Sequence, residues 1–448
     1  MFRPSTRRQL WLLGISVLVG VGGILYGYDI GVISGALLFI HKSIPMTDTQ
    51  TGIIVGAVLF GGWFGALGAG SLADYLGRQK SILIAAALFI AGVFVILISK
   101  NFLMLLVARV LLGLGVGVVS VAVPLYVAEV AHASMRGKYV TFFQLFLTFG
   151  IVLAYFVDLA FTKSGNWHAM FSVVLIPASI LFVGGLFLPE TPRWLIANHR
   201  IEKARRVLLR THSKHEVETE VINIHHSLQQ KRVGFLALFE PRVRKALFLA
   251  VSIAILNQWT GINSFLQYAP SLLKSSGFES NQAAMVSSAG MGMLNFFVTF
   301  IALFLVDKVG RKVLLSIGTI GILLSEIFLG LVQSMALSPS MLSQLTLIGL
   351  LAFIVFFALG PGVVVWIALS ELFPTYVRGT GMAFCLFFNA MAGWLLATFF
   401  LDINRILGMS GSYFLCAFFT FIYVIVAVFL LPETRGKTLE EVQRIMVR

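Results

Sequence analysis

Apolar residues run along this chain in long blocks, at 10–38, 51–73, 81–99, 102–128, 139–161, 167–187, 243–273, 281–305, 313–332, 344–371, 379–401 and 410–430. Each approaches or exceeds the roughly 20 residues that a helix needs to cross a hydrocarbon layer about 30 Å thick. The blocks are apolar over many turns and lack the in–out alternation of a membrane barrel, so they predict helices. The one long polar connection, 191–242, keeps helical periodicity through Lys203–Leu209 and Val217–Leu228 amid many charges, which predicts short amphipathic helices. The expected architecture is an all-α integral membrane protein. Its 12 transmembrane helices form two six-helix halves, 1–190 and 243–432, joined by a helical linker at 191–242 and followed by a tail at 433–448.

Composition fits a chain dissolved in lipid. Hydrophobic residues make up 58% of the 448 residues and charged ones only 12%, and the mean hydropathy is +0.94; no soluble core absorbs that much apolar surface. A net charge of +14 raises the prospect of nucleic acid, but its distribution excludes that partner. Of 33 Lys and Arg, five lie in loops on one side (Lys42, Lys100, Lys163, Lys274 and Arg405), Arg109 lies inside a block, and the other 27 share the side of both termini. By the positive-inside rule the termini are expected in the cytoplasm. The first block follows Arg3, Arg7 and Arg8, exceeds a signal-peptide core and lacks a small-residue cleavage site, so it is expected to remain as the first helix. Cys385 and Cys416 fall inside predicted spans, and no loop on the opposite side carries an Asn-x-Ser/Thr sequon, so neither disulfides nor glycosylation is expected. A bacterial inner membrane fits best.

The halves repeat each other. Asp74-x-x-Gly77-Arg78 matches Asp307-x-x-Gly310-Arg311, Glu129 with Arg136-Gly137 matches Glu371 with Arg378-Gly379, and Pro189-Glu190-Thr191 matches Pro432-Glu433-Thr434. Repeated six-helix halves are the architecture of transporters that rock about a central site. Asp74, Arg78, Glu129, Arg136, Glu190, Arg193, Asp307, Arg311, Glu371, Arg378 and Glu433 fall at helix ends on the side of the termini. They are either topology signals and caps in contact with water, or inter-helix salt bridges that hold the cytoplasmic face closed in one state and break in the other. Their recurrence in both halves favours the second reading. Single surface pairs contribute only about 0–1 kcal/mol, so several together suit a switch between states of similar energy.

From Gly27 to about Lys437 the motifs accumulate in order: Gly27-Tyr28-Asp29, Gly70-x-x-x-Asp74-x-x-Gly77-Arg78, Arg136-Gly137, Pro189-Glu190-Thr191-Pro192-Arg193-Trp194-Leu195, Gln258-x-x-Gly261-Ile262-Asn263, Glu371-Leu372-Phe373-Pro374 and Pro432-Glu433-Thr434-Arg435-Gly436. In these the chain resembles the sugar porters of the major facilitator superfamily, above all bacterial proton-coupled glucose and xylose symporters. The resemblance implies the major facilitator fold and movement of a hexose or pentose by alternating access.

Asp29 and Arg109 lie roughly 13–20 Å below the face opposite the termini, at 1.5 Å per residue, so they can meet. A charge at a helix centre costs at least about 2.5–3.5 kcal/mol, so such residues line cavities and pair. The pair is either a static lock between helices one and four or a carboxylate that changes protonation as water access changes. The resemblance favours the second: proton-coupled relatives carry Asp at this position and passive glucose carriers Asn, which implies Asp29 as the proton site with Arg109 tuning it. Glu326, mid-way along the ninth span, reads as a neutral, protonated or snorkelling carboxyl on a peripheral helix, and Asp158 as interfacial.

A sugar needs amides, which both donate and accept, and an aromatic plane for its C–H face. The resemblance implies Tyr26, Gln144, Ile151, Asn257, Gln258, Asn263, Asn295, Trp366 and Asn389 around the substrate, with Gln267 and Tyr268 at the extracellular gate. Ile151 stands where similar xylose symporters have Gln and glucose carriers an apolar residue, which points to D-glucose. Ala390 replaces an aromatic that often follows the helix-eleven amide, and Gly360-Pro361-Gly362 keeps a hinge before Trp366. The expected activity is proton-coupled symport; the alternatives are a passive sugar uniporter and a symporter preferring a pentose such as xylose. The eight His are scattered, and no metal cluster, nucleophile motif or phosphate loop is present, so neither enzyme chemistry nor a cofactor is expected. Protons serve as the coupling ion, and lipids, the sugar and no second subunit are the expected partners.

Overall fold

The computed structural model describes residues 6–130, 136–211, 214–229, 235–374, 376–435 and 441. Among these residues all regular structure is helical. The first half holds α1 (Thr6–Ser43), α2 (Asp48–Leu76), α3 (Arg78–Leu97), α4 (Phe102–Val130) and α5 (Arg136–Phe161), and its sixth crossing is split into α6 (Trp167–Ser172) and α7 (Leu175–Phe187). The connection folds as α8 (Pro192–Ala197), α9 (Ile201–Leu208) and α10 (Lys214–Gln229), which share a small apolar core around Trp194, Leu195, Val207 and Val221. Both amphipathic segments expected there are helical.

In the second half the seventh crossing is α11 (Pro241–Trp259), α12 (Ile262–Gln267) and α13 (Ala269–Ser275). It is followed by α14 (Asn281–Val309) and α15 (Arg311–Ser334). The tenth crossing is broken into α16 (Pro339–Leu359) and α17 (Pro361–Leu372), and α18 (Arg378–Ile425) ends the half before a π turn at Val426–Leu430. Gly261 breaks the seventh crossing because its φ of 84° lies in the left-handed region that glycine tolerates. Pro361 restarts the tenth, its missing N–H harmless at the first helical position. Where helices begin at the face opposite the termini, side chains of Thr47, Asn166, Ser280 and Ser338 accept otherwise unpaired amide N–H groups.

Among the described residues eleven helical stretches are long and apolar enough to cross a membrane, against the twelve expected. The difference lies in α18, whose one non-helical residue inside is Gly408 (φ 71°, ψ 171°). Phe400 and Tyr413 both pack on the Phe265 ring, at 5.9 and 5.4 Å. In a straight helix they would stand about 20 Å apart, so the chain reverses at Gly408 and the stretch makes two crossings. Helical geometry simply continues through the short connection that the sequence predicts as a loop.

Within the first half α1 lies on α5. Cβ atoms at Gly23, Gly27, Gly31 and Gly35 would run into Phe143 and Phe146, Leu147, Ala154 and Asp158 respectively, so one small face of α1 admits the α5 backbone. Large apolar side chains such as Leu103, Phe187, Phe248 and Phe429 stand exposed around the outside, where a bilayer covers them.

The halves meet chiefly through α2 with α18, α5 with α14, and α1 with α12 and α13. Thr49 donates to Asp402 at 2.8 Å and Tyr155 to the Leu266 carbonyl at 2.8 Å. Gly52 and Gly56 lie against Thr398, and deeper along the same seam Trp63 packs on Phe387 and Trp394. These ties run from the face opposite the termini to mid-helix.

Candidate functional site

Asp29 on α1 and Arg109 on α4 form a salt bridge of 2.8 Å, with 2% and 0% of their surfaces exposed. Arg109 also reaches the Ile54 carbonyl at 3.4 Å and lies 5.8 Å from the centre of the Phe171 ring. Asp29 Oδ2 and Arg109 Nη2 have no hydrogen-bond partner. Each ion therefore keeps one polar atom unused in a place where an unpaired charge is costly. A proton arriving at Asp29 would remove the attraction that holds Arg109.

A second polar group forms in the other half. Gln258 Nε2 donates to Asn389 Oδ1 at 2.9 Å, Asn263 Nδ2 donates to Gln258 Oε1 at 2.7 Å, and Asn389 Nδ2 donates to the Ala254 carbonyl at 2.8 Å. The break at Gly261 turns Asn263 back toward Gln258. A Cβ added at Gly393 would lie 3.1 Å from Gln258 Oε1, so a glycine makes room for the amides to meet. Such a triad can exchange its internal bonds for those of a polyol without stranding a donor.

The remaining expected sugar residues sit outside this triad. Tyr26 and Gln144 are half-buried on α1 and α5, Trp366 is half-buried on α17 against the second-half core, and Asn295 is buried on α14. Asn257 is 5% exposed and its Oδ1 has no partner, because it points away from its neighbour Gln258 around α11. Ile151 is 2% exposed in the α1–α5 seam, its backbone against Gly27 and Gly31. At the gate position Tyr268 donates to the Ala397 carbonyl at 3.2 Å and stacks on Phe400, while Gln267 is buried with Oε1 unpartnered.

On the side of the termini the repeat reappears in three dimensions. In the first half Arg78 bridges Glu129 at 2.9 Å and Asp74 at 3.3 Å, while Thr191 donates to Glu129 at 2.6 Å. Glu190 accepts the amide N–H groups of Arg78 at 3.0 Å and Gln79 at 3.2 Å. In the second half Arg311 bridges Glu371 at 3.3 Å, Thr434 donates to Glu371 at 2.5 Å, and Glu433 accepts the amides of Arg311 and Lys312 at 3.1 Å. Gly77 and Gly310, at φ 99° and 111°, leave the space in which those carboxylates sit. These bridges are inter-helix pairs that join helices within one half, and Glu190 and Glu433 are each held by the amides of a helix start in their own half. Arg193 is exposed and pairs with none of the described residues. Arg378 opens α18, half-buried. The side chains of Arg136 and Asp307 lie outside the described residues.

Two carboxyls are fully buried. Asp158, near the end of α5, lies under α1 and accepts the Gly35 amide at 3.1 Å. Glu326 does not snorkel to the surface but is enclosed between α15 and α18. Neither burial is legible from position along a span, because it depends on which helix lies alongside.

The sugar (and other) transporter family model matches residues 15–446. A glucose transporter of Staphylococcus epidermidis is 36% identical, over 96% of this chain and 96% of that protein. A galactose–proton symporter of Escherichia coli is also 36% identical, over 97% and 94%. The inward open conformation of the xylose transporter from E. coli superposes with a TM-score of 0.83 at 28% identity, covering 97% of this chain and 99% of that one.

Proposed function

We propose that this chain, which belongs to the sugar transporter family of the major facilitator superfamily and is a transporter and not an enzyme, carries a hexose, with D-glucose the first candidate, together with protons by alternating access. The observation that carries the proton half of this reading is the buried Asp29–Arg109 bridge with one unused polar atom on each side. In the deprotonated state the bridge pins α1 to α4. Protonation leaves Arg109 to its carbonyl and aromatic neighbours, so α1 is released to move over α12 and α13. The triad of Gln258, Asn263 and Asn389 supplies the sugar site, and the half-buried Trp366 on α17 is the candidate aromatic face.

The two halves hold together toward the face opposite the termini, and the ion pairs on the side of the termini stay within each half. We read this as an inward-facing state with cytoplasmic termini, in keeping with the charge bias of the loops. Because the similar proteins carry glucose, galactose and xylose, the sugar is settled by competition. Uptake of labelled D-glucose into proteoliposomes is expected to fall with excess unlabelled glucose and to fall less with xylose. Stronger inhibition by xylose would replace glucose with a pentose. With one proton per sugar, one pH unit, acidic outside, drives accumulation of at most about tenfold.

A further inference from the structure

Glu326 has no place in the mechanism above, yet its surroundings are unusual. Its side chain is fully buried, and neither carboxyl oxygen has a hydrogen-bond partner. It faces α18, where Tyr413, Cys416, Thr420 and Tyr423 recur at three- and four-residue spacing and so share one helix face. The Thr420 hydroxyl lies beside the carboxyl without a strict hydrogen bond to it, and Cys416 lies within its electrostatic reach. Tyr413 Oη, Thr420 Oγ1 and Tyr423 Oη are themselves buried without partners. A carboxyl buried against an unpaired hydroxyl in a packed helix interface is a polar contact that no apolar packing requirement explains.

Among the described residues nothing nearby balances a negative charge. α16 and the π turn carry no titratable side chain. Those of α14 and α17 are Asp307, Lys308 and Glu371, all at the helix ends on the side of the termini, and α15 itself offers only Arg311 and Lys312 at that same end. The groups on α18 that lie beside the carboxyl are the Thr420 hydroxyl and the Cys416 thiol. An uncompensated charge there costs at least about 2.5–3.5 kcal/mol, whereas a protonated carboxyl donates to one hydroxyl and accepts from another.

The cluster also touches the break in the seventh crossing. The Cys416 sulfur would lie 3.2 Å from a Cβ at Gly261, and Tyr413 packs on Phe265 at 5.4 Å. Gly261 is the break that brings Asn263 to Gln258. One turn beyond Glu326, Gly330 accepts from Ser410 at 2.7 Å and backs onto Phe414, which fixes α15 to α18 beside the carboxyl.

We propose that Glu326 is a second proton-binding carboxyl, occupied at neutral pH, whose proton keeps the α15–α18 interface neutral behind the Gly261 break and so sets the alkaline limit of transport. It is distinct from the coupling carboxyl Asp29: it holds its proton through the cycle and loses it only when the medium turns alkaline.

The test uses the full-length protein and Glu326→Gln, which copies the protonated shape without titrating. Infrared spectra at pH 7 are expected to show a protonated carboxyl C=O band that is lost in Glu326→Gln; identical spectra would overturn the proposal. Thermal unfolding in detergent is expected to coincide for the two at pH 6, and wild type alone is expected to lose several degrees by pH 9. Parallel curves from pH 6 to 9, or a Glu326→Gln protein destabilised at pH 6 as much as Glu326→Ala, would also overturn it. Glucose exchange run alongside is expected to decline above neutrality in wild type and to persist in Glu326→Gln. The first two readouts need no sugar, so failure of the transport reading is separable from failure of this one.

Discussion

Asp29 and Arg109 were legible because an ion inside an apolar run is expensive, and the structure joins them at 2.8 Å. The amides at 258, 263 and 389 were legible as chemistry but not as a group: Gln258 and Asn263 would not bond along an unbroken helix, and only the turn at Gly261 brings them to 2.7 Å. Asn389 makes two of the triad's bonds, so Asn389→Ala is expected to raise the KM for glucose about tenfold with a smaller change in maximal rate, from the loss of one or two hydrogen bonds of about 0.5–1.5 kcal/mol each. An unchanged KM in proteoliposome uptake would move the sugar elsewhere. The burial of Ile151 and Asp158 was not legible for a common reason: α5 is backed by the small face of α1, which the sequence of α5 alone does not reveal. That seam is testable, since a Cβ at Gly27 would collide with the Leu147 carbonyl, whereas one at Gly14 meets nothing within 4 Å. Gly27→Ala is expected to lose about 1–3 kcal/mol, read as a lower unfolding temperature in detergent, and Gly14→Ala to lose almost nothing.

Among the elements, helix existence followed from hydropathy, while the breaks at Gly261 and Gly360 and the reversal at Gly408 depend on single backbone conformations. The repeated Gly-Arg helix starts were visible as matching motifs, but the partner of each carboxylate was not. Glu190 and Glu433 cap α3 and α15 from the far end of their own halves, a long-range contact that local spacing does not encode. Burial pushes the Glu190 carboxyl above its usual range, only partly offset by the amides of Thr191, Arg78 and Gln79 and by the Arg78 charge. A carboxyl raised in the folded state contributes stability that is present in acid and lost as pH rises through its folded value. Relative to Glu190→Gln, wild type is therefore expected to gain unfolding temperature as pH falls from 7 toward 5. A difference that shrinks over that range would show that the amides and Arg78 outweigh burial.

At the scale of the whole molecule, the two-half architecture was readable because the repeat is written twice in the sequence, and the solved xylose transporter matches it over nearly its full length. Which face is closed was not readable, since it is decided by contacts between halves that share no sequence signal: Thr49 with Asp402, Tyr155 with Leu266, and Trp63 with Trp394. The internal bridges on the opposite side, Arg78 with Glu129 and Arg311 with Glu371, join helices within each half. In the proposed cycle the buried bridge between α1 and α4 is the trigger. The most direct test of this account is labelled glucose uptake in proteoliposomes with and without an inward proton gradient, on wild type and Asp29→Asn in parallel. The account predicts gradient-driven accumulation in wild type only, with glucose exchange preserved in the mutant. Equal, gradient-indifferent equilibration in both proteins would contradict it and leave Asp29 and Arg109 a structural lock.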